Sequence, residues 1–352
     1  MRSAFIRMLS GNNRIVLLYL CTFLLAMTAI VLGIASGSVA LPFFKVIDII
    51  ASHLFWGPVS GDPVVSDNII WLIRMPRVLV AFLVGAALAA AGCAMQGLLR
   101  NPLADPYTLG VSSGASVGAV FVIYTGWSLP MLGSLTLPVM SITAGLLTLF
   151  IVIGLARAVR KDLSNEVVIL SGIIVSSFLG ALISLMIALS GENMRAIVSW
   201  LLGSVAMKSW RHVQMTLPFF LIGWLLLAVR AKEINIFASG EQSAHHMGVN
   251  VARTKLWILI ACSCLTGAAV SVSGTIGFVG LVIPHMIRMM AGPNQKHLLF
   301  LSIVNGGTFL VVTDWLARIL LSPEELPLGV ITALVGAPVF ALILIQSRKH
   351  KG

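Results

Sequence analysis

The chain has 352 residues, of which 58% are hydrophobic and only 10% are charged, and its formal net charge is +11. Soluble domains carry about 25% charged residues, so this composition excludes a soluble enzyme or binding domain and indicates a protein that dissolves in lipid. The basic residues stand in short clusters between apolar runs, which is typical of membrane topology signals, and nucleic acid is therefore not predicted as a partner.

Ten apolar runs predict membrane-spanning helices, since about 20 apolar residues are needed to cross the hydrocarbon layer. The first run is longer than the about 7–15 residues of a signal-peptide core, so it is interpreted as a span. All four cysteines fall within apolar runs, which argues against structural disulfides. In chain order the predicted spans are residues 15–35, 76–97, 107–126, 136–156, 166–189, 213–230, 256–274, 277–290, 298–320 and 327–346.

The distribution of basic residues orients these spans. If the N-terminus is cytoplasmic and the spans alternate in direction, 7 of the 23 basic residues lie outside and the other 16 lie inside. Because loops rich in lysine and arginine stay on the inner side, this bias predicts that both termini are cytoplasmic. The outer residues are Lys45, Arg74, Arg77, Arg195, Lys208, Arg211 and Arg318.

A short pattern recurs in the two halves of the chain. Gly-Ala-Ala is followed by Gly and then by Pro at the same spacings, with a constant offset of 182 residues, at Gly85, Gly92 and Pro102 and again at Gly267, Gly274 and Pro284. The two copies begin on predicted spans of opposite direction. The sequence therefore predicts an all-α integral membrane fold, one domain over residues 1–352, with about ten transmembrane helices in two inverted five-helix repeats near residues 15–190 and 213–346.

Several longer motifs lie beyond residue 70. They are Arg74-Met-Pro-Arg77, Gly85-Ala-Ala-Leu-Ala-Ala-Ala-Gly92, Gln96-Gly-Leu-Leu-Arg-Asn-Pro-Leu-Ala-Asp-Pro106, Trp200-Leu-Leu-Gly-Ser204, Gly274-Thr-Ile-Gly-Phe-Val-Gly-Leu-Val-Ile-Pro-His285 and Leu326-Pro-Leu-Gly-Val-Ile-Thr-Ala-Leu-Val-Gly-Ala-Pro338. In these motifs the chain resembles the permease family that imports iron-siderophores, haem and cobalamin. The resemblance implies a ten-span subunit of a prokaryotic cytoplasmic membrane. It also implies pairing with a second copy of itself, two cytoplasmic ABC ATPase subunits and an extracytoplasmic substrate-binding protein.

Three arginines stand at the outer ends of predicted spans, where the positive-inside rule disfavours them. Asp314 lies one helical turn before Arg318 and is placed to pair with it. A single arginine in such a position often reaches the membrane interface without a further role. The resemblance implies that Arg74, Arg77 and Arg318 dock the binding protein through its carboxylates, for which the planar guanidinium is suited.

The fifth predicted span carries a small residue at every fourth position, namely Gly172, Ser176, Gly180 and Ser184. Such a stripe most often allows close helix packing. A smooth lining of a translocation pathway for a bulky cargo is the alternative. Gly110, Gly114 and Gly118 in the third span have the same spacing, and there packing is predicted.

The inner loop between the sixth and seventh spans covers about residues 231–255. Its segment from Ala238 to Val249 resembles the short coupling helices that ABC importers insert into a cleft of the ATPase. The resemblance implies that Gly240, Glu241, Ala244 and Gly248 form this coupling element, which would act as a lever on the spans. A solvated loop whose charges only set topology is the alternative.

Two further motifs receive structural interpretations. Gly110-Val-Ser112-Ser-Gly114 matches the pattern of a nucleophilic serine, but it follows no strand and has no His–Asp pair placed to activate it. His285 is interpreted as a hydrogen-bonded structural histidine rather than a metal or haem ligand. The phosphate-binding pattern G-x-x-x-x-G-K-[ST] does not occur, so ATP hydrolysis is expected on a partner subunit and this chain is not predicted to be an enzyme. We also predict no catalytic residue, no metal and no cofactor bound by this chain.

These observations predict the transmembrane permease subunit of an ATP-binding-cassette importer, with a ferric siderophore as the cargo and haem or cobalamin as alternatives. An ion-coupled secondary transporter is the alternative from another class, and it usually needs carboxylates buried within spans. The twelve acidic residues lie in loops or near span ends, with Asp314 the closest to an exception. That distribution argues against ion coupling.

Overall fold

The structure, a computed structural model, describes residues 11–37, 42–55, 64–160 and 164–349, and this part of the chain contains helices and no strand. The basic N-terminal tail before residue 11, Lys161 and the C-terminal Lys351, which the charge distribution places inside, lie outside the described residues. The helices are α1 (Gly11–Ala35), α2 (Phe43–Phe55), α3 (Val64–Asn68), α4 (Met75–Leu98), α5 (Val111–Thr125), α6 (Thr136–Val159), α7 (Asn165–Leu189), α8 (Met194–Leu201), α9 (Trp210–Val229), α10 (Ala231–Phe237), α11 (Glu241–His246), α12 (Val251–Ser273), α13 (Val279–Ala291), α14 (Gln295–Ile319) and α15 (Leu328–Lys349).

Within the described ranges, seven helical segments are long and apolar enough to cross a membrane. They contain α1, α4, α6, α7, α9, α12 and α14, and a π-helical turn, Ile69–Arg74, makes α3 and α4 one continuous segment. Three shorter apolar helices are Val111–Thr125, Val279–Ala291 and Leu328–Ile343. Each of the ten predicted spans therefore coincides with an apolar helix. That the three shorter helices also cross the membrane stays a prediction.

Helix α4 lies at the centre of the bundle. In the span that contains it, 89% of the most apolar window is buried, against 17% for α1 and for α7. A Cβ atom at Gly85 would collide with the Gly306 carbonyl oxygen of α14, and one at Gly92 would collide with the Gly280 carbonyl oxygen of α13. The small residues of α4 therefore allow two other helices to approach its backbone directly.

A proline in α13 explains the buried amide at the end of α4. Pro284 has no N–H, so the Gly280 carbonyl loses its helical partner. The Gln96 Nε2 amide from α4 donates to the Gly280 oxygen at 3.3 Å and to the Leu281 oxygen at 3.0 Å. The side chain thus satisfies backbone groups that no water reaches in the bilayer.

The lengths of the helices recur in the two halves. Helices α4 to α7 have 24, 15, 24 and 25 residues, and α12 to α15 have 23, 13, 25 and 22. In both halves the short second helix begins after a left-handed residue, Gly110 at φ 75° and Phe278 at φ 68°. The fixed offset of 182 residues does not match these elements, because Gly92 lies inside α4 whereas Gly274 caps the end of α12. The two inverted repeats stay a prediction, now supported by element lengths.

Irregular backbone between α12 and α13 is tied to its surroundings. The Tyr107 hydroxyl donates to the Ile276 carbonyl at 2.8 Å and accepts from the Ile276 N–H at 3.0 Å. The Ser204 N–H donates to the Ser273 carbonyl at 2.7 Å. Non-helical backbone at membrane depth is stable only when protein groups satisfy it in this way.

Candidate functional site

Two short helices form the predicted coupling element. Helix α10 follows α9 directly, and Gly240, at φ 108°, turns the chain into α11. Gly248, at φ 80°, ends this element before α12 begins at Val251. Glycine is favoured at both turns because side chains strain a left-handed backbone.

An ion pair anchors α11 to α12. The Lys255 Nζ atom lies 2.7 Å from Glu241 Oε1, and the Lys255 side chain is only 2% exposed whereas that of Glu241 is 32% exposed. Ala244, on the same side of α11, is fully buried in the hydrophobic core. Both contacts hold α11 against the bundle, and the ion pair joins it directly to α12.

The four predicted coupling residues therefore fall into different positions. Gly240 forms a turn, Glu241 and Ala244 contact the chain's own α12 and core, and only Gly248 faces open space, where an added Cβ would meet nothing within 4 Å. The exposed part of the element also includes Gln242, His245, His246 and Met247, which motif reasoning missed. The burial of Ala244 indicates that these four residues are exposed, because the neighbours of a buried helical residue point away from the core. A cavity of about 670 Å³ lies here, lined by Glu241, Gln242, His245, Gly248, Val249, Asn250, Val251 and Ala252.

Two of the arginines predicted to lie outside, Arg77 and Arg318, form one network with two carboxylates, Asp314 and Glu325. The Arg77 Nε and Nη2 atoms donate to Asp314 Oδ1 at 3.0 and 2.8 Å, and Nη1 and Nη2 donate to the two Glu325 oxygens at 2.8 and 2.9 Å. Asp314 is 1% exposed and Glu325 is 41% exposed. Arg77 lowers the pKa of the Glu325 carboxyl by hydrogen bonding, so that carboxyl is ionised near neutral pH.

Arg74 and Arg318 bind the backbone carbonyls at the C-terminal end of α1. Arg74 Nη1 donates to the carbonyls of Ile34 and Ala35, both at 3.0 Å. Arg318 donates to the carbonyls of Ser36 and Gly33, both at 2.8 Å, and also lies 3.2 Å from Asp314. The last carbonyls of a helix have no partner within it and attract cations. Two guanidinium groups from distant helices therefore cap α1.

The pairing of Arg318 with Asp314, expected from their spacing, is confirmed. The structure also brings Arg74, Arg77 and Arg318 together, although Arg74 is only 6% exposed and the Arg318 side chain only 8%. Their docking role stays a prediction. Of the three, Arg77 is bound to the exposed carboxylate of Glu325, so a partner reaches its outer side only by displacing that group.

The small-residue stripe of α7 divides into two parts. A Cβ at Gly172 would collide with the Thr108 carbonyl, and Ser176 lies against Gly110, so this part packs against the loop before α5. A Cβ at Gly180 would meet nothing within 4 Å, and Ser184 is exposed and donates to the Gly180 carbonyl at 3.0 Å. The geometry thus agrees with packing at one end and leaves a pathway role open at the other.

The remaining candidates have structural surroundings. Gly114 and Gly118 abut α6, where added Cβ atoms would collide with Thr148 and Met140, as the packing interpretation expects. The ring of His285 lies 6.3 Å from that of Phe340, and its buried Nδ1 atom has no hydrogen-bond partner among the described residues, so the hydrogen bond expected of this histidine is not found at that atom. Ser112 is 5% exposed. The part of the chain that the structure describes contains no group of three or more His, Cys, Asp or Glu side chains placed to hold a metal.

A central helix rich in alanine and glycine, surrounded by long apolar helices, is the architecture of a multi-pass membrane protein. The comparisons with known proteins specify the class. The model of the FecCD transport family matches residues 24–346, and the chain belongs to this family. It is thus a permease subunit of an ABC importer.

Relatives and a solved structure support this membership. An uncharacterized ABC transporter permease of Bacillus subtilis (strain 168), YvrB, is 52% identical over 352 residues, which cover 100% of this chain and 99% of the relative. The cobalamin import system permease protein BtuC of Halobacterium salinarum is 40% identical over 82% of this chain and 76% of its own length. A solved metal-chelate type ABC transporter in an inward-facing conformation superposes with a TM-score of 0.81 and 31% identity, covering 94% of this chain and 99% of that one.

Proposed function

We propose that this permease carries an iron chelate of the ferric siderophore class inward across the cytoplasmic membrane, with both termini cytoplasmic. It would pair with a second copy of itself, two ABC ATPase subunits and an extracytoplasmic binding protein. The proposed coupling to the ATPase is supported by one observation: Lys255 and Ala244 hold α11 against the bundle. ATPase closure on the exposed side of α11 would then move α12 as a rigid body.

The second copy would cover α7. Four residues of this 25-residue helix are buried, and its apolar side chains Leu170, Ile173, Ile174, Phe178, Leu185 and Leu189 are each more than half exposed. Some of these side chains would face lipid and some the other copy. The open half of the stripe, from Gly180 to Ser184, would then line a pathway between the copies, where small side chains offer a bulky cargo little to bind.

The metal-chelate type transporter of similar fold supports a metal chelate as the cargo, and we choose an iron chelate within that class. Cobalamin is the second candidate, favoured by the relative from Halobacterium salinarum. The test is ATP hydrolysis by the reconstituted complex, with its binding protein loaded with ferric siderophore, haem or cobalamin in turn. Stimulation by the siderophore form alone is expected. Stimulation by cobalamin or haem alone would overturn the iron assignment and leave the permease role intact.

The coupling role is tested at Gly248. A tryptophan there has room within the chain, since no atom lies within 4 Å of an added Cβ, but it would project into a docked ATPase. We expect Gly248→Trp to lower transport-coupled ATP hydrolysis by about tenfold or more, because over-packing costs about 1–3 kcal/mol. Gly248→Ala is the matched control, since alanine has the same backbone strain at positive φ without the added volume. Normal hydrolysis and normal co-purification of the ATPase with the tryptophan variant would make this segment a mere linker.

A further inference from the structure

A cavity of about 400 Å³ lies where the ends of three spanning helices meet. Tyr19 of α1, Trp224 and Ala228 of α9, and Lys296 and Phe300 of α14 contribute to its lining. Tyr19 packs its ring 5.5 Å from that of Phe300. The arrangement has no part in cargo passage or in coupling as derived above.

The lining changes from polar to apolar along the helices. Lys296 is exposed and makes no ion pair within the described part of the chain, and it stands one residue after α14 begins at Gln295. His297 forms a hydrogen bond with Tyr19, whose hydroxyl lies 3.0 Å from the ring Nδ1. When that hydroxyl donates, the neutral imidazole carries its proton on Nε2, which is then a donor for another group.

The site carries the positive charge of Lys296, and no acidic residue among the described ones lines the cavity. On the adjacent α10 the one carboxylate, Glu233, is paired with Arg230 at 3.1 Å. The first turn of α14 also presents the positive end of its helix dipole beside Lys296. An anion therefore fits the polar end of the cavity.

The position of the site specifies the kind of anion. Trp224 lies five residues before the end of α9, and Tyr19 lies within the first turns of α1. Aromatic side chains at such depths mark the level of the lipid headgroups. Beyond them the lining is apolar, with Leu299 and Phe300 continuing along α14 toward the membrane interior.

We propose that this cavity binds one anionic phospholipid, with the phosphate between Lys296 and His297 and an acyl chain against Trp224 and Phe300. Basic pockets between spanning helices are the usual form of such sites. The lipid would join the ends of α1, α9 and α14, and α9 continues directly into the coupling element through α10. The site stands on these contacts and does not depend on the identity of the cargo.

The test is lipid binding by the purified full-length chain, measured by native mass spectrometry with phosphatidylglycerol and with phosphatidylcholine. The wild type should retain one phosphatidylglycerol in preference to phosphatidylcholine. Lys296→Gln should weaken phosphatidylglycerol binding about fivefold, the value of about 1 kcal/mol for one lysine near the headgroups. Millimolar inorganic phosphate should not compete, because it lacks the acyl chain. Competition by phosphate would overturn the lipid as the occupant.

Arg157→Gln is the matched control, since Arg157 is an exposed cation at the end of another spanning helix, α6. An equal loss of binding in both variants would show a general charge effect and would refute a specific site. A second measurement locates the bound lipid: the quenching of tryptophan fluorescence by brominated phosphatidylglycerol. In the wild-type background, Trp224→Phe should remove most of this quenching. In the Lys296→Gln background, where less lipid is bound, the same change should remove little of it. Unchanged quenching would place the lipid elsewhere.

Discussion

The guanidinium of Arg77 is shared between a buried and an exposed carboxylate, and this division has a consequence for any external partner. The Asp314 contact holds α4 to α14, while the Glu325 contact lies at the surface. An acidic group on a binding protein would have to replace Glu325, because the nitrogen atoms of Arg77 that face outward are already bound. Glu325 would thus act as an internal competitor of docking.

We expect Glu325→Gln to strengthen docking of the binding protein by up to about fivefold, since an exposed ion pair is worth about 0.2–1 kcal/mol. Glu324→Gln is the control, because Glu324 is an exposed neighbour whose side chain has no partner among the described residues. Affinity and association rate measured at low salt check the prediction. Weaker docking in Glu325→Gln would mean that Glu325 itself contacts the partner.

The same ion pair has a defined dependence on pH. Arg77 lowers the pKa of Glu325, so the folded state binds fewer protons than the unfolded one, and the pair contributes stability at pH values above the carboxyl's ordinary pKa. That contribution is lost as the pH falls through the lowered pKa. Near neutral pH the pair is intact, and the competition with docking therefore operates under working conditions.

At the scale of single residues, sequence spacing predicted one ion pair, between Asp314 and Arg318, but not the long-range contacts of Arg77 or the capping of α1. Asp314 and Arg318 are one helical turn apart, and their pairing followed from that distance. Arg77 is separated from Asp314 by 237 positions and from Glu325 by 248. No local rule predicts contacts of this kind. For the same reason the capping of α1 by Arg74 and Arg318 could not be foreseen.

At the scale of helices, hydropathy predicted the apolar elements because each one is a continuous run bounded by charges or turns. Close contacts between helices needed the structure. The run from Gly85 to Gly92 indicated small residues, but Gly306 and Gly280 as its partners lie about 190 to 220 residues further along, a separation that only the folded chain brings together. The matching Gly267 has no such contact.

This difference gives a matched pair of substitutions. Gly92→Ala should lower the stability of the detergent-solubilised chain by about 1–3 kcal/mol, because the new methyl group meets the Gly280 backbone, which cannot move away easily. Gly267→Ala should leave stability unchanged or raise it by up to about 1 kcal/mol, since its Cβ meets nothing within 4 Å and alanine favours helix. Thermal unfolding measures both. Equal stability of the two variants would contradict the close approach of α4 and α13.

At the scale of the whole molecule, the crossing of α13 decides the topology. Its 13 residues rise about 20 Å at 1.5 Å per residue, which is shorter than the about 30 Å of hydrocarbon. The irregular residues 274–278, held by Tyr107, lengthen the path at one end. If α13 crosses, three crossings separate α11 from the loop that carries Glu324, and the two lie on opposite sides of the membrane.

Cysteine labelling with a membrane-impermeant maleimide tests this arrangement. In a background without Cys21, the one described cysteine that is exposed, Glu324→Cys should react in intact cells. Gln242→Cys, exposed on α11, should react only after the membrane is permeabilised. The reversed pattern would invert the orientation and place the coupling element outside, away from ATP. Reaction of both from the same side would mean that α13 enters and leaves the membrane on one side. The inverted five-helix repeats would then have to be abandoned, since α5 and α13 could no longer be equivalent spans of opposite direction.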